Sequence, residues 1–305
     1  LHSEKIEKRY LLLTATAFGF AGATRINLLT SIVFLGLLLF LWIFIRHQKN
    51  IAKSFSDLLA AGLPLASVAG ALLWYNYDRF GKIFEFGHRY QLTGPALPQD
   101  YTQVSSLKYI LPNFYTYFVR LPSLQASFPF VRLEWIKEEM WPFFIRIPEH
   151  YYYSEPVAGL PIIVPIFGVA LLFLARYLWL WLNGDLPKLP QNKIEKLQKK
   201  HWFAAALLGY LVIQTAILLI FIYAATRYLY DIAPVLILFA TLLLGISLPR
   251  IAEHKFQARL IRFLWTAAAL TTALMAFLIG FTGERNNFMN QNPAIYEEWM
   301  RWFGG

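Results

Sequence analysis

Six stretches of this chain are long enough to cross a bilayer and carry no charge, or a single charge near one end: residues 26–45, 58–75, 157–175, 202–226, 228–248 and 263–281. A spanning helix needs about 20 mainly apolar residues, because a rise of about 1.5 Å per residue must cover about 30 Å of hydrocarbon. Inside that layer every backbone amide must be bonded within the protein, which a helix does unaided. The chain is therefore expected to be an all-α integral membrane protein. Charged residues make up only 15% of it, against about 25% in soluble domains. There is no cysteine, which excludes a disulfide framework and thiolate metal sites.

The formal net charge is +10, and its placement predicts topology. Lys5, Lys8, Arg9, Arg46, Lys49, Lys53, Lys188, Lys193, Lys196, Lys199, Lys200, Arg250, Lys255 and Arg259 gather at one set of helix ends. Arg176 and Arg262 lie just inside those ends and can snorkel to them. Six acids share that side, so it holds the whole excess. Short Lys/Arg-rich loops stay in the cytoplasm, and the positive face grips anionic lipid; nucleic acid is not an expected partner. The pattern requires residues 11–24, a short run rich in Gly and Ala, to span as well. About seven transmembrane helices result, with the amino terminus inside and the carboxyl terminus outside. The lysine run 193–200 reads as a cytoplasmic interfacial helix.

Four regions follow: helices 1–3 in residues 1–76, an extracytoplasmic membrane-surface segment in 77–156, helices 4–7 in 157–282 and an outer tail in 283–305. The outer segment has equal numbers of acids and bases and is dense in aromatics, which favour the headgroup region. Residues 105–121 and 131–144 are expected to form short helices on the outer leaflet. The chain opens on Leu1 within a charged connector, 1–9, of the kind that joins two membrane helices. It is expected to be a part of a longer protein.

Motifs cluster where helices meet the outer surface. Tyr75-Asn76-Tyr77-Asp78-Arg79-Phe80-Gly81 is followed by Phe84-Glu85-Phe86-Gly87 and then Tyr90. Ahead of it stands Gly19-Phe20-Ala21-Gly22-Ala23-Thr24-Arg25, running into Ile26-Asn27-Leu28-Leu29. Later come Arg227-Tyr228-Leu229-Tyr230-Asp231-Ile232-Ala233-Pro234 and Asn292-Pro293-Ala294-Ile295-Tyr296. In this order the motifs resemble the bacterial GT-C polytopic glycosyltransferases, relatives of the protein mannosyltransferase and aminoarabinose transferase groups. The resemblance implies a carboxyl-terminal part of an enzyme of the bacterial inner (plasma) membrane. Such an enzyme moves a sugar from a polyprenyl-phosphate donor to an acceptor on the outer face. It also implies that the catalytic acid lies in an outer loop upstream of the matched region. No Asp-x-Asp, Glu-x-Asp or paired Asp occurs here, so no catalytic residue is assigned.

The candidate site residues are cations and their neighbours. Arg25, Arg79 and Arg227 fall at outer helix ends, where a guanidinium can hold phosphate oxygens in a bidentate fork; for Arg25 and Arg79 the alternatives are snorkelling to headgroups and a solvated loop. Asp231 is one turn beyond Arg227 and suits either an ion pair or a helix-start acid. Tyr77, Asp78, His88 and Arg89 complete the expected substrate pocket. Asp78 and Glu85 could offer oxygens to a divalent metal, though their spacing does not demand one. Two rival readings are a lipid or solute transporter and a non-catalytic scaffold of envelope glycan assembly. A transporter favours internal repeats and polar breaks at mid-membrane. Gln214, Pro64, Pro161 and Pro165 are the hints of that kind, and no repeat is evident.

Overall fold

The computed structural model describes residues 7–47, 50–87, 90, 101–148, 152–184, 191–251, 255–282 and 287–303. Among the described residues, five helical segments are long and apolar enough to cross a membrane: Ile26–Arg46, Ile51–Phe80, Trp202–Ile220, Thr226–Ile246 and Lys255–Thr282. Of the described residues 77% are helical, and the strands among them are two residues long. The protein is an all-α, multi-pass membrane protein. It divides into two compact units, Leu1–Gln99 with His201–Ile217 and Asp100–Lys200 with Leu218–Gly305.

In the first unit α1 (Lys8–Thr24), α2 (Ile26–Arg46) and α3 (Ile51–Phe80) follow one another closely. Arg25 alone separates α1 from α2, in extended backbone with φ −148° and ψ 126°. Leu11, Ala15, Ile43 and Ala61 form the core of this unit. Small residues bring α1 against α3: a Cβ on Gly19 would lie 3.0 Å from the Cβ of Val68. The Asn50 side chain accepts the Lys53 amide at 3.0 Å and caps the start of α3. Gly81 ends α3 in the left-handed region, φ 69°, with its amide bonded to the Tyr77 carbonyl at 2.8 Å. The fourth helix of this unit is the middle of α8 (Gln191–Ile220). Its Gly209 backbone receives the Phe34 ring, and a Cβ there would fall 2.3 Å from the ring tip. Nearby, Ser31 Oγ donates to Gln214 Oε1 at 3.0 Å, both residues fully buried.

The second unit begins with α4 (Tyr101–Val104), a 3₁₀ turn at Leu107–Tyr109, α5 (Ile110–Phe114) and a π-helical turn at Tyr115–Val119. The expected helix at 105–121 thus takes the form of joined helical turns. The expected helix at 131–144 does not form. Strand β2 (Val131–Arg132) pairs antiparallel with β1 (Ser123–Leu124) instead, and a single 3₁₀ turn follows at Glu138–Met140. The burial pattern explains this: Val131 and Leu133 are buried against Ile279 while Glu134 is exposed, which is the two-residue period of a strand. Beyond β3 (Tyr153–Ser154), the expected span at 157–175 is broken. A short α6 (Leu160–Ile163) stops at Val164, whose φ −129° and ψ 69° are non-helical, and α7 (Ile166–Leu182) starts afresh. Pro165 causes the break, because it lacks an amide and forces the preceding residue out of the helical region. Both α1 and α7 have 17 residues, about 25 Å at 1.5 Å per residue. They are shorter than the five full-length helices, so the expected seven spans are matched at five. The lysine-rich run 193–200 is the opening of α8 rather than a separate interfacial helix.

The chain then passes through β4 (Tyr223–Ala224) into α9 (Thr226–Ile251) and α10 (Lys255–Thr282), and on to α11 (Asn287–Gln291) and α12 (Pro293–Trp302). The α8–α9 connection, expected to be helical up to residue 226, is extended and tightly held. Strands β3 and β4 run parallel in register Tyr153 with Tyr223, and Ser105 bridges to Phe221 on the other edge. The Asn113 side chain, fully buried, donates to the carbonyls of Leu218, Leu219 and Phe221 at 2.7–3.0 Å. Those carbonyls include the helix-end acceptors that α8 cannot satisfy itself. The Ala225 amide donates to Tyr117 Oη at 3.0 Å, and Thr226 Oγ1 donates to the Pro156 carbonyl at 2.8 Å.

Three substitutions test this packing. Replacing Asn113 with Ala strands buried carbonyls and should cost about 2–4 kcal/mol, at about 1–3 kcal/mol per unsatisfied group with partial relaxation. Gly159→Ala should cost about 1–3 kcal/mol, because its new Cβ would lie 3.0 Å from the Phe118 carbonyl and 3.1 Å from that of Arg120, both backbone. Gly168→Ala, where a Cβ meets open space, should change stability by no more than about 1 kcal/mol, in the stabilising direction. Thermal unfolding of the three variants in detergent, compared with wild type, checks all of these.

Candidate functional site

The carboxyl-terminal end of α3 builds a polar cavity. Leu72, Tyr75, Asn76, Arg79 and Phe80 recur at helical spacing and so lie on one face of α3. All five line a cavity of about 360 Å³, together with Ala23, Thr24 and Ile26 of the α1–α2 joint and Phe86, Gly87 and Tyr90 of the following loop. The loop returns over the helix end for identifiable reasons. Asn76 Nδ2 donates to the Ile83 carbonyl at 3.2 Å, and the Gly87 amide donates to Glu85 Oε1 at 3.0 Å. Gly87 has φ 81°, and its missing side chain leaves room for the Phe80 ring, 3.0 Å from where a Cβ would sit. Phe80 stacks on Tyr90 with centroids 5.1 Å apart. The Arg79 guanidinium lies 5.1 Å over the Phe80 ring and donates through Nη1 to Tyr75 Oη at 2.8 Å. These contacts orient the planar fork, while the residue as a whole stays exposed.

An apolar groove of about 400 Å³ adjoins this cavity. It runs between α1, α2 and α3, and Gly19, Gly22 and Gly36 hollow its walls. Ala23, Leu72 and Phe86 line both the groove and the cavity. The first unit thus carries a polar chamber bearing Arg79 beside an apolar groove that shares part of its wall.

In the second unit the Arg227 guanidinium, half-exposed, pairs with Glu155 at 2.9 Å. Glu155 is buried beside β3, and its amide donates to the Ala224 carbonyl at 2.8 Å, so the same short sheet positions both partners. Nearby, Tyr152 Oη donates to Asn113 Oδ1 at 2.9 Å. Burial pushes the Tyr152 phenol up, opposed by Thr116 and by the Arg120 charge. Burial also holds the Tyr117 phenol well above the usual range and draws Arg120 down from the usual arginine range. Both phenols therefore act as neutral hydrogen-bonding groups.

Of the residues expected from sequence, Arg79 lines the polar cavity. Arg25 is exposed at the α1–α2 joint, and the residues on either side of it line the same cavity. Tyr77 and Asp78 are exposed on α3 and do not line it. His88 and Arg89 lie outside the described residues. Arg227 and Asp231 both belong to α9 in the second unit, whereas Arg25 and Arg79 belong to the first. Sequence reasoning missed Glu155 as the partner of Arg227, since the two are far apart in the chain and nothing in their local patterns links them. Tyr75 and Asn76 also belong to the site, and the four-residue spacing of Tyr75 and Arg79 is the signal in the sequence that links them. Among the described residues, no group of three or more His, Cys, Asp or Glu could hold a metal ion.

No family model matches this chain, and neither the curated proteins nor the solved structures contain a significant match to it.

Proposed function

We propose that this chain binds a polyprenyl-phosphate sugar donor at the polar cavity and apolar groove of its first unit. In this reading it is the carboxyl-terminal part of a membrane glycosyltransferase that passes the sugar to an acceptor at the outer face. The observation that carries it is the shared wall between the cavity holding Arg79 and the groove between α1, α2 and α3. A lipid tail gains little by leaving the bilayer for a helix surface, because lipid is as apolar as the groove. The head contacts therefore decide both affinity and selectivity. An exposed guanidinium braced by Tyr75 and Phe80 suits a phosphate, and charge-assisted bonds of this kind contribute about 1.5–3 kcal/mol. During transfer, the bond between the sugar and the phosphate oxygen breaks and negative charge collects on the departing lipid phosphate. A preoriented cation at that point stabilises it. The reading assigns no general base to this chain. It places about seven spans in a bacterial inner membrane, with α1 and α7 as short spans and residues 77–156 on the outer surface.

Binding is the direct test. Titration of the purified chain in detergent with undecaprenyl phosphate should show Arg79→Ala weakening binding about ten- to a hundredfold. Arg79→Lys should recover part of the loss, because the charge returns without the fork. Gly22→Phe, which fills the groove, should weaken binding of the long-chain phosphate while leaving a short-chain analogue unaffected. Unchanged affinity in Arg79→Ala would reject the site. Orientation is tested separately, aided by the absence of cysteine. A cysteine at exposed Ser105 should react with an impermeant maleimide in intact cells, and one at exposed Lys255 only after permeabilisation.

A further inference from the structure

We infer, on the lipid-phosphate reading of the same site, that the polar cavity of the first unit also reads the sugar: the Asn76 side-chain oxygen accepts a hydrogen bond from a sugar hydroxyl. Asn76 is 3% exposed, whereas Tyr75, Arg79 and Tyr90, which line the same cavity, are exposed. Burial therefore puts the amide at the cavity floor and the guanidinium at its mouth. Asn76 Nδ2 donates to the Ile83 carbonyl at 3.2 Å. A carbonyl bonds only the nitrogen end of an amide, so that contact fixes which way the side chain points. Its Oδ1 takes no hydrogen bond among the described residues, and it is not one of the unpartnered side-chain atoms sealed from solvent. A nearly buried acceptor that opens on a cavity is a place for a ligand's donor.

The cavity is thus polarised, with N–H donors at the mouth and an acceptor at the floor. An ionised phosphate only accepts, so it suits Arg79 and gains nothing from Asn76 Oδ1. A ligand that fills both ends carries a hydroxyl beyond its phosphate. Asn76 and Arg79 are three residues apart on α3, which sets their Cβ atoms about 5–6 Å apart, close enough for one sugar and its phosphate to reach both. The walls suit a sugar ring. Tyr75, Phe80, Phe86 and Tyr90 all line the cavity, and Phe80 and Tyr90 stack within 11° of parallel. Aromatic faces take the apolar C–H faces of a pyranose, while its hydroxyls point to the polar groups. The cavity volume of about 360 Å³ lies near the lower end of the range of small-molecule sites, about 300–1,000 Å³. A glycosylated donor therefore binds in preference to the bare carrier. The bare polyprenyl phosphate left after transfer loses the floor contact, which favours its release.

The probes are undecaprenyl phosphate, undecaprenyl phosphate glucose and dioleoylphosphatidylglycerol, titrated against the full chain in detergent. The glucosyl form should bind about three- to tenfold tighter than the bare phosphate, the size expected of one net hydrogen bond. Phosphatidylglycerol carries a phosphate and hydroxyls without a ring, and should bind no tighter than undecaprenyl phosphate. Asn76→Ala should erase the glucosyl preference. Asn76→Asp keeps an acceptor oxygen but loses the bond to Ile83; it should keep the preference while weakening both polyprenyl ligands alike. A purely structural role for Asn76 would make the two variants behave the same. Arg79→Ala should weaken both polyprenyl ligands together and leave their ratio unchanged. Melting temperatures establish that each variant is folded, and if neither Asn76 variant folds, the wild-type preference still decides the question. Failure of undecaprenyl phosphate to bind, or binding indifferent to Arg79→Ala, rejects the lipid-phosphate reading and the sugar contact with it. Binding that depends on Arg79 but is equal for the bare and glucosyl forms overturns the sugar contact alone. So does a preference that survives Asn76→Ala, or phosphatidylglycerol binding as tightly as the glucosyl form.

Discussion

Every backbone group that leaves a helix near a bilayer must find a partner inside the protein, and in this chain the requirement is sharpest where α8 turns into α9. The carbonyls at the end of α8 and the extended residues beyond it have no helical partners. Asn113 takes three of the carbonyls, β3 and the Ser105 bridge take the strand edges, and Tyr117 takes the Ala225 amide. The residues that do this come from 105–117 and 153–154, far from α8 and α9 in sequence. That explains why an aromatic-rich, proline-broken segment is ordered: its side chains finish the hydrogen bonding of the membrane helices. The packing of Val104 and Tyr109 on Ile222 adds an apolar component to the same clasp.

The first unit meets the requirement differently. Its helices are long, and their joints are minimal: one residue between α1 and α2, and a left-handed glycine at the end of α3. Small residues replace loops as the organising device. Gly19 lets α1 approach Val68, and Gly209 admits the Phe34 ring, so van der Waals contact operates where no hydrophobic driving force exists between helices. The Ser31–Gln214 hydrogen bond adds a directional contact within that apolar setting. The same small residues that permit close packing also leave the groove beside the polar cavity open. An apolar groove and a tight helix interface are built from one composition.

Polar side chains in the second unit are buried in pairs or networks, as the cost of desolvation demands. Arg227 illustrates how the partner is chosen. The four-residue spacing to Asp231 on α9 is a helix-surface relationship, whereas Glu155 is buried on the short parallel sheet next to the start of α9. A buried carboxylate needs a countercharge, and the tertiary pair with Arg227 supplies one to Glu155. Arg120 departs from this pattern, buried without such a carboxylate among the described residues.

The membrane class and the course of most of the long helices were legible in the sequence, because apolar length is a local property and a helix satisfies its own backbone. Arg79 was legible as well: a cation one turn from an aromatic, just before a glycine that stops a helix, marks a helix end by local rules. The breaks were partly legible. Pro165 announces one, yet residues 157–175 read as continuous on apolarity alone, and the extended stretch after Ile220 has no local cue because its sequence is as apolar as the helix before it. Residues 131–144 carry a pattern that suits either a helix or a strand, and pairing with β1 and burial against α10 decided for extended chain. Charge partners and cavities were not legible. The partnership of Glu155 with Arg227, the clasp made by Asn113, and the junction of polar chamber and apolar groove each bring together residues distant in sequence. Sequence fixes what a segment can satisfy by itself; which segment supplies the remaining hydrogen bonds and countercharges depends on what folding places within about 3 Å.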